Sequence, residues 1–243
     1  MKSFKQSAAT TAIGAALISS LVMNVSAQTD KATLSPDDAK AKQAYALGVH
    51  AYIWGYPMVV MQRSRDAMTK GGDAPVSPDQ FEKSGLLFAP VNQVANAWSM
   101  LGPSFSAVQS ANSDTQYSVT WFDSSKEPYV LHIPDANGRY YTYQFIDAFT
   151  NNFHYASTRT MGSQDQNYAL VAPGWKGKLP VGVTRVDCPT PTGFIIGRWF
   201  VADEKDVAAV NAIQKQVTCL LYTSDAADDQ WRVWVGGGGG GGG

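Results

Sequence analysis

The hydrophobic period changes along this chain, from a helical spacing near the N-terminus to an alternation of two in the middle. Apolar side chains recur at helical spacing between residues 46 and 61, whereas residues 117–121 (YSVTW) alternate large apolar and hydroxyl side chains. A period near 3.6 predicts a helix with one apolar face, and a period of two predicts a strand with one buried face. The chain must therefore combine a helical segment with a sheet.

The helical segment has a clear start. Ser35 is placed to be the N-cap, Pro36 occupies the first helical position, and the acidic side chains that follow face the positive end of the helix dipole. Pro57 lacks an N–H and is expected to kink or restart the helix, and Gly71-Gly72 to stop it. The predicted buried stripe consists of Ala46, Leu47, His50, Ile53, Trp54, Met58 and Met61.

Several short strands are predicted beyond residue 115. Residues 129–133 and 140–146 are aromatic and β-branched runs, and the Asn137-Gly138 turn between them predicts an antiparallel hairpin. Further strands are predicted at 167–172, 184–187 and 193–201, separated by proline and glycine. A last helix is expected to begin at an Asp203 N-cap, with Val207, Val210 and Ile213 on one face.

This order of elements predicts an α+β fold: an N-terminal helical segment, an antiparallel β-sandwich domain and a short C-terminal helix. We expect residues 28–72 to form the helical segment and residues 73–217 to form the sandwich. A single core of this size is large enough to be stable by packing.

Residues 1–27 have the features of a secretory signal peptide. Lys2 and Lys5 supply the positive start, residues 8–25 are mostly small and apolar, and Val25-Ser26-Ala27 places small residues at a cleavage site. A membrane anchor is the alternative, but Thr, Ser and Asn dilute the run, and a spanning helix needs roughly 20 predominantly apolar residues. We expect cleavage after Ala27 and a periplasmic or secreted protein with no membrane span.

Residues 218–243 differ in character from the rest of the chain. Residues 219–224 (CLLYTS) are what the codons TGT CTC TTA TAC ACA TCT encode, which resemble a transposase library adapter, and residues 225–229 (DAADD) match its continuation. Residues 236–243 are all glycine, as a run of bases read as G would encode. A native acidic tail with a flexible glycine linker is the alternative. We expect a non-native tail outside the packed body, with the native sequence lost near Val217.

Charge and cysteine content exclude some classes of protein. The chain has 19 Lys and Arg against 20 Asp and Glu, so it has no basic footprint for nucleic acid and no polybasic patch for a membrane. Between residues 28 and 217 only Cys188 is present, and no internal disulfide can form there. Stability must come from the packing of aromatic and aliphatic side chains.

An ordered series of motifs runs through the middle of the chain. Its members are NSDTQYS at 112–118, Trp121, Glu127-Pro128, RYY at 139–141, Gln144, Asp147, Thr150-Asn151, Arg159-Thr160, PGWKG at 173–177 and Gly197-Arg198. This series resembles the DUF1254 family from about residue 44 to residue 216. Ser157, where a glycine is usual, and Trp199, where a threonine is usual, are small departures.

The resemblance implies a helical segment followed by a β-sandwich, commonly joined in longer members to a second β-rich domain of the DUF1214 type. It implies no established activity. A missing DUF1214-like domain would leave an apolar patch exposed on this chain, larger than the few hundred Å² that a monomer usually tolerates.

Motifs for familiar chemistry are absent from the sequence. It contains no G-x-S-x-G nucleophile elbow, no H-E-x-x-H and no C-x-x-C, which gives no basis for a metal site or for naming a cofactor. His50 is expected to be a core residue of the helix stripe, and His132 and His154 stand in strand contexts without an acidic neighbour in phase. Cys188 is expected to be a packed side chain rather than a nucleophile.

The strongest polar constellation combines residues 112–118 with residues 147–159. Asp114, Gln116, Ser118 and Thr120 share one strand face, and Asp147 follows the aromatic run at 141–145 in phase. Arginine can bind an anion bidentately or neutralise an acid. We predict that Asp114 or Asp147 meets Arg159 or Arg198. The candidate ligand-binding residues are Asn112, Asp114, Tyr117, Tyr143, Asp147, Arg159 and Arg198.

Two classes of function remain open from the sequence. The first is a periplasmic ligand-binding or structural module with an aromatic-lined site for a small organic or anionic ligand. The second is a hydrolase-type enzyme in which Asp114 and Asp147 act as acid and base or bind a hard cation. A carboxyl separation below about 10 Å would favour the enzyme. A purely structural interpretation is that Asn112 and Asp114 cap a turn and that Asp147 pairs with Arg159.

Overall fold

The computed structural model describes residues 35–71, 73–84, 87–102 and 112–222. The chain divides into two compact units, residues 1–50 and residues 51–243. In the first unit the described residues are 35–50, which are helical from Pro36 onward. The predicted signal peptide and residues 223–243 lie outside the described residues.

Helix α1 spans Pro36–Thr69. It begins as predicted, since the Asp38 backbone N–H donates to Ser35 Oγ at 3.1 Å. The helix continues through Pro57, so the predicted restart is wrong. Within the second unit, Arg65 of the helix contacts Asp123 at 3.4 Å, and the Trp54 ring centroid lies 5.4 Å from that of Phe149.

The apolar stripe of α1 is not buried, which corrects the prediction. Ile53 and Trp54 are 64% and 67% exposed, and none of the described residues of the helix is buried. A helix buries a face only where another element packs against it, and the contact with Phe149 leaves two thirds of Trp54 exposed. His50, expected in the core, is also exposed.

The second unit contains two sheets. The first has the order β1-β2-β8-β4-β5, and every pairing in it is antiparallel. The second has the order β7-β6-β3-β9, in which β6 and β7 are parallel. The strands are β1 (Ala95–Asn96), β2 (Thr115–Asp123), β3 (Tyr129–Ile133), β4 (Tyr141–Asp147), β5 (Asn152–Ser157), β6 (Gln166–Val171), β7 (Thr184–Asp187), β8 (Thr192–Phe200) and β9 (Thr218–Leu221).

Short helical elements connect or cap these strands: α2 (Pro78–Ser84), α3 (Thr158–Met161), a 3₁₀ turn (Glu204–Asp206) and α4 (Val207–Gln214). Asp203 is the predicted N-cap, because its carboxylate accepts from the backbone N–H groups of Lys205 and Asp206. The predicted α+β fold, with an N-terminal helix, a sandwich of strands and a short C-terminal helix, is confirmed. No helix among the described residues is both long and apolar enough to cross a membrane.

The predicted hairpin between β3 and β4 is wrong. The turn itself forms, with Asn137 and Gly138 at φ +51° and +78°, but β3 pairs with β6 and β9 while β4 pairs with β5 and β8. The loop therefore crosses from one sheet to the other. The physical reason is that the apolar faces of both strands are buried together in the space between the sheets, rather than side by side in one sheet.

The core lies between the two sheets and is dominated by aromatic rings. Its largest fully buried side chains include Trp199, Tyr129, Tyr141, Tyr143, Tyr168, Phe122 and Phe145. A second apolar cluster covers the other face of β2, where Tyr117 and Val119 pack with Phe81, Ala89 and Ala95. The strand that the alternation predicted forms as β2, but the prediction of a single buried face is wrong, because both faces are buried.

Strand β9 corrects the expectation that the chain leaves the packed body after Val217. Residues 218–221 pair with β3 in antiparallel register, and Cys219 packs against the main core. The Tyr222 backbone N–H also donates to the Pro128 carbonyl at 2.8 Å. An extended apolar segment is held here because β3 has an open edge with backbone groups that require partners.

Candidate functional site

The structure separates the charged residues that were predicted to converge. The ion pairs between described residues are Arg65–Asp123, Lys70–Asp66, Arg139–Asp206 and Arg185–Asp187. None joins Asp114 or Asp147 to Arg159 or Arg198, so that prediction is wrong. Each of these four residues has a different environment, which determines what it can do.

Asp147 organises the turn that follows β4. Its carboxylate is buried and accepts from the backbone N–H groups of Phe149 and Asn151, both at 2.8 Å, and from Asn151 Nδ2 at 3.0 Å. The turn contains Thr150 at φ +70°. Neutral donors from the turn therefore satisfy this buried carboxylate, where an arginine was expected.

Asp114 lies exposed before β2, at the opposite end of the sheet. Its carbonyl accepts from Val201 N, whereas Asp147 lies opposite Gly193 on the same central strand, β8. Eight residues of extended strand separate these positions by about 26 Å. That distance exceeds the range of about 10 Å within which two carboxylates act on one glycosidic bond.

Arg159 and Tyr143 have opposite environments. Arg159 is exposed on the single turn α3. Tyr143 is fully buried, and burial raises the pKa of its hydroxyl. Its ring covers Gly197 so closely that a Cβ at that position would lie 2.5 Å from the ring. Tyr143 is thus a core residue.

The outer face of the first sheet does bring three predicted residues together. The Arg198 Cζ atom lies 5.8 Å from the centroid of the Tyr117 ring, and the Tyr117 hydroxyl accepts from the Asn112 backbone N–H at 2.9 Å. Arg198 is half-buried and makes no ion pair with any described carboxylate. A partly desolvated guanidinium on an aromatic ring is a suitable receptor for an anion.

Gln144 completes this cluster, although the sequence analysis did not select it. Its Oε1 accepts from Arg198 Nη1 at 3.1 Å, and its Nε2 donates to Asn152 Oδ1. Gln144 was among the motif residues of the family resemblance and lies in the outward phase of β4, between the buried residues Tyr143 and Phe145. Those two signals together could have identified it. We call Asn112, Tyr117, Gln144 and Arg198 the Arg198 cluster.

The inward face of β2 carries a buried polar network rather than a ligand site. Ser118 Oγ donates to Asn96 Oδ1 at 2.6 Å and accepts from Trp199 Nε1 at 3.0 Å and from Gln214 Nε2 at 3.2 Å. These bonds fix α4 against the sheet and join the side chains of β1 and β2 within it. They also explain Trp199, the departure from the family pattern, because its indole N–H is satisfied inside the core.

The remaining histidines and cysteines are structural in their surroundings. His132 lies 2.9 Å from Asn167 Oδ1, and burial lowers the pKa of His154. Cys188 is buried, as expected, and burial raises the pKa of its thiol to about 12. Within the described ranges, no group of three or more His, Cys, Asp or Glu side chains is placed to hold a metal ion.

Comparison with known proteins gives a family and a fold. The model of DUF1254, described as a protein of unknown function, matches residues 91–220. The VPA0106 protein from Vibrio parahaemolyticus is structurally similar, with a TM-score of 0.51 and 20% identity over 79% of this chain and 39% of its own. An uncharacterised protein from Burkholderia cenocepacia has a TM-score of 0.34 and 12% identity, over 54% of this chain and 34% of its own.

The extent of these matches limits which properties of the similar proteins can be stated for this chain. This chain spans 39% and 34% of the lengths of the two solved structures. No curated protein matches it. The similarity to the Vibrio protein shows the fold alone.

Proposed function

The chain belongs to the DUF1254 family, whose model matches more than half of it, and from this premise we propose that its sandwich domain binds a small organic anion. The proposed site is the Arg198 cluster on the outer face of the first sheet. A ligand-binding module is favoured over the paired-carboxylate hydrolase because Asp114 and Asp147 lie at opposite ends of that sheet.

The observation that carries the proposal is that Arg198 forms no ion pair with a carboxylate of the described residues. A guanidinium has five N–H donors in a fixed fork, and the bond to Gln144 Oε1 uses a donor on Nη1. Arginines that are fully buried are almost always paired, and the half-buried Arg139 of this protein has Asp206 as its carboxylate partner. The Tyr117 ring holds the Arg198 side chain in place, which reduces the entropy lost when a ligand binds.

A titration with sodium acetate, at constant ionic strength against sodium chloride, tests this site. We expect ¹H–¹⁵N NMR signals of the Gln144 side-chain amide and of residues 196–198 to shift on addition of acetate. Arg198→Gln should remove these shifts. Arg185→Gln is the matched control, since it removes the same charge from the second sheet. Equal shifts in both variants, or no localised shifts in the native protein, would contradict the proposal.

We also propose that the protein is exported and acts in the periplasm or outside the cell. The support is the charge and hydropathy pattern of residues 1–27. Fractionation of expressing cells, combined with N-terminal sequencing, tests it. A mature N-terminus at Gln28 in the periplasmic fraction is the expected result, and an intact Met1 in the cytoplasm would contradict it.

A companion domain of the DUF1214 type is the partner we propose for α1. The support is the apolar surface of residues 52–60, where Tyr52, Ile53, Trp54 and Tyr56 are all more than half exposed. The similar Vibrio protein has a chain of which this one spans 39%, so it has additional chain that could cover an equivalent surface. Surfaces of this kind usually mark an interface.

Hydrogen exchange tests this partner. Adding a separately expressed DUF1214-type domain from a longer family member should slow exchange of the backbone amides at residues 52–60. The paired variant Ile53→Ser with Trp54→Ser should remove the protection. Unchanged exchange on addition of the domain would contradict the proposed interface.

A further inference from the structure

An apolar strip continues from Arg198 along the same face of β8. Side chains two residues apart on a strand point to the same side, so Arg198, Ile196 and Phe194 form one row. All three are half-buried, whereas Gly193, Ile195, Gly197 and Trp199 in the opposite phase are buried. Ile196 and Phe194 pack against the second apolar cluster and keep part of their surface exposed. The row therefore offers one cation followed by the hydrocarbon surface that this cluster leaves exposed.

The neighbouring strands β4 and β2 place further apolar side chains beside this row. On β4, Gln144 lies opposite Ile196 and Ile146 lies opposite Phe194. On β2, Trp121 lies opposite Phe194, and the two rings are 4.6 Å apart between centroids. The polar contacts of the Arg198 cluster are thus at one end of the row, and apolar side chains of three strands are at the other.

The length of the row limits the ligand. Four residues of strand separate Arg198 from Phe194, which is about 13 Å. An extended hydrocarbon chain of about eight carbons, with C–C bonds of about 1.5 Å, matches the length of the row beyond the guanidinium.

The single cation indicates the anionic group. A phosphate usually engages several donors, such as a helix N-terminus or a cluster of basic side chains. A carboxylate is planar and matches one guanidinium fork. Arg198 is the one cationic residue of the row, and the side-chain amide of Gln144 beside it is neutral.

We infer that the ligand of this site is an amphipathic monocarboxylate, with its carboxylate on Arg198 and its apolar body over Ile196 and Phe194. This inference rests on the proposed anion-binding function and adds the class of ligand. It differs from that function in predicting that affinity depends on the apolar part of the ligand.

Calorimetric titration of the full chain with acetate, butyrate and octanoate tests the inference. Complete burial of one methylene is worth about fourfold in affinity, and the strip is only partly exposed. We therefore expect octanoate to bind at least about tenfold more tightly than butyrate, and butyrate more tightly than acetate. Octanol and octylammonium, which lack the carboxylate, should bind at least about tenfold more weakly than octanoate.

Two variants separate the two ends of the site. Ile196→Thr keeps a β-branched residue in the strand but removes apolar surface, so it should reduce the gain from butyrate to octanoate and leave acetate binding unchanged. Arg198→Gln should weaken all three acids. Arg185→Gln should affect none of them.

The outcomes are distinguishable. If acetate and octanoate bind with the same affinity and both depend on Arg198, the anion site stands and the amphipathic ligand is wrong. If octanol binds as tightly as octanoate, the strip adsorbs hydrocarbon without recognising the acid, and the inference is also wrong. If no acid binds in a manner that depends on Arg198, both the inference and the proposed function fail.

Discussion

Arg139 and Asp206 form a two-point ion pair that joins the loop after β3 to the start of α4. Arg139 Nη2 lies 2.6 Å from Asp206 Oδ1, and Arg139 Nη1 also donates to the Phe200 carbonyl at 2.6 Å. Both side chains are less than 20% exposed, which makes this the least exposed ion pair between described residues. The pair therefore links the sandwich to the C-terminal helix. The sequence showed only that this helix follows the last strands along the chain.

Removing the carboxylate should destabilise the fold. We expect Asp206→Asn to lower the free energy of unfolding by about 1–3 kcal/mol, because charge-assisted hydrogen bonds contribute more than neutral ones and Arg139 would keep its charge without a partner. Urea denaturation measures the change. Asp187→Asn, in the more exposed Arg185–Asp187 pair, is the control and should leave the midpoint nearly unchanged. An equal loss in both variants would contradict the special role of Asp206.

The same pair predicts a pH dependence. Hydrogen bonds from Arg139 and from the Ala202 backbone lower the pKa of Asp206 to about 2. A carboxyl pKa that is lowered in the folded state gives stability above the ordinary pKa, near 3.8, and this stability is lost as the pH falls toward 2. The difference in unfolding free energy between the native protein and Asp206→Asn should therefore be full at pH 6 and disappear near pH 2.

Substitution of Gly197 should lower the stability of the fold, whereas substitution of the neighbouring Arg198 should change ligand binding. Gly197→Ala places a Cβ 2.5 Å from the buried Tyr143 ring and should cost about 1–3 kcal/mol of stability. Gly102→Ala is the control, because no atom of the described residues lies within 4 Å of its Cβ position. Arg198→Gln should change acetate binding with little change in melting temperature. If Arg198→Gln lowered the melting temperature more than Gly197→Ala does, Arg198 would have a structural role instead of a role in ligand binding.

Asp147→Asn tests whether that carboxylate belongs to the turn or to a site. Its oxygen can still accept from the backbone of Phe149 and Asn151, but its new amide would face the Asn151 Nδ2 donor. We expect a loss of about 1–2 kcal/mol in unfolding free energy. Acetate titration of the variant should match the native protein. If the variant lost acetate binding but kept its stability, Asp147 would be a residue of the ligand site and not of the turn.

Truncation measures the contribution of β9. Ending the chain after Val217 removes the strand that pairs with Tyr129, Leu131 and their neighbours on β3. We expect a lower unfolding midpoint and increased binding of a hydrophobic dye, because the β3 edge becomes open. Ending the chain after Tyr222 keeps β9 and is the control. Equal midpoints in the two truncated proteins would show that the edge strand contributes nothing.

Local patterns in the sequence were sufficient for several elements. The Ser35 and Asp203 caps and the bounds of β3 and β7 depend on nearby residues, and all are found in the structure. The short strand β1 and helix α2 were not predicted, because elements of two and seven residues carry too little periodicity. The hairpin was wrong because a turn signal specifies a reversal of the chain, without specifying which sheet the next strand joins.

The candidate site was predicted in part. Asn112, Tyr117 and Arg198 were selected and lie together, whereas Gln144 was missed, and Asp114 and Asp147 lie far apart. Charged residues near aromatic segments do not by themselves have to meet, because a buried carboxylate can be satisfied by backbone N–H groups, as Asp147 is.

By itself the sequence determined the class of the fold, since the change of hydrophobic period requires a helical segment followed by strands with alternating faces. It also determined the family, through an ordered series of motifs. Only the tertiary structure decided which sheet each strand joins, that Arg198 has no acidic partner among the described residues, and that the apolar face of α1 is exposed. The physical reason is that periodicity records which side chains avoid water, whereas pairing between charged groups depends on distances across strands that are far apart in the chain.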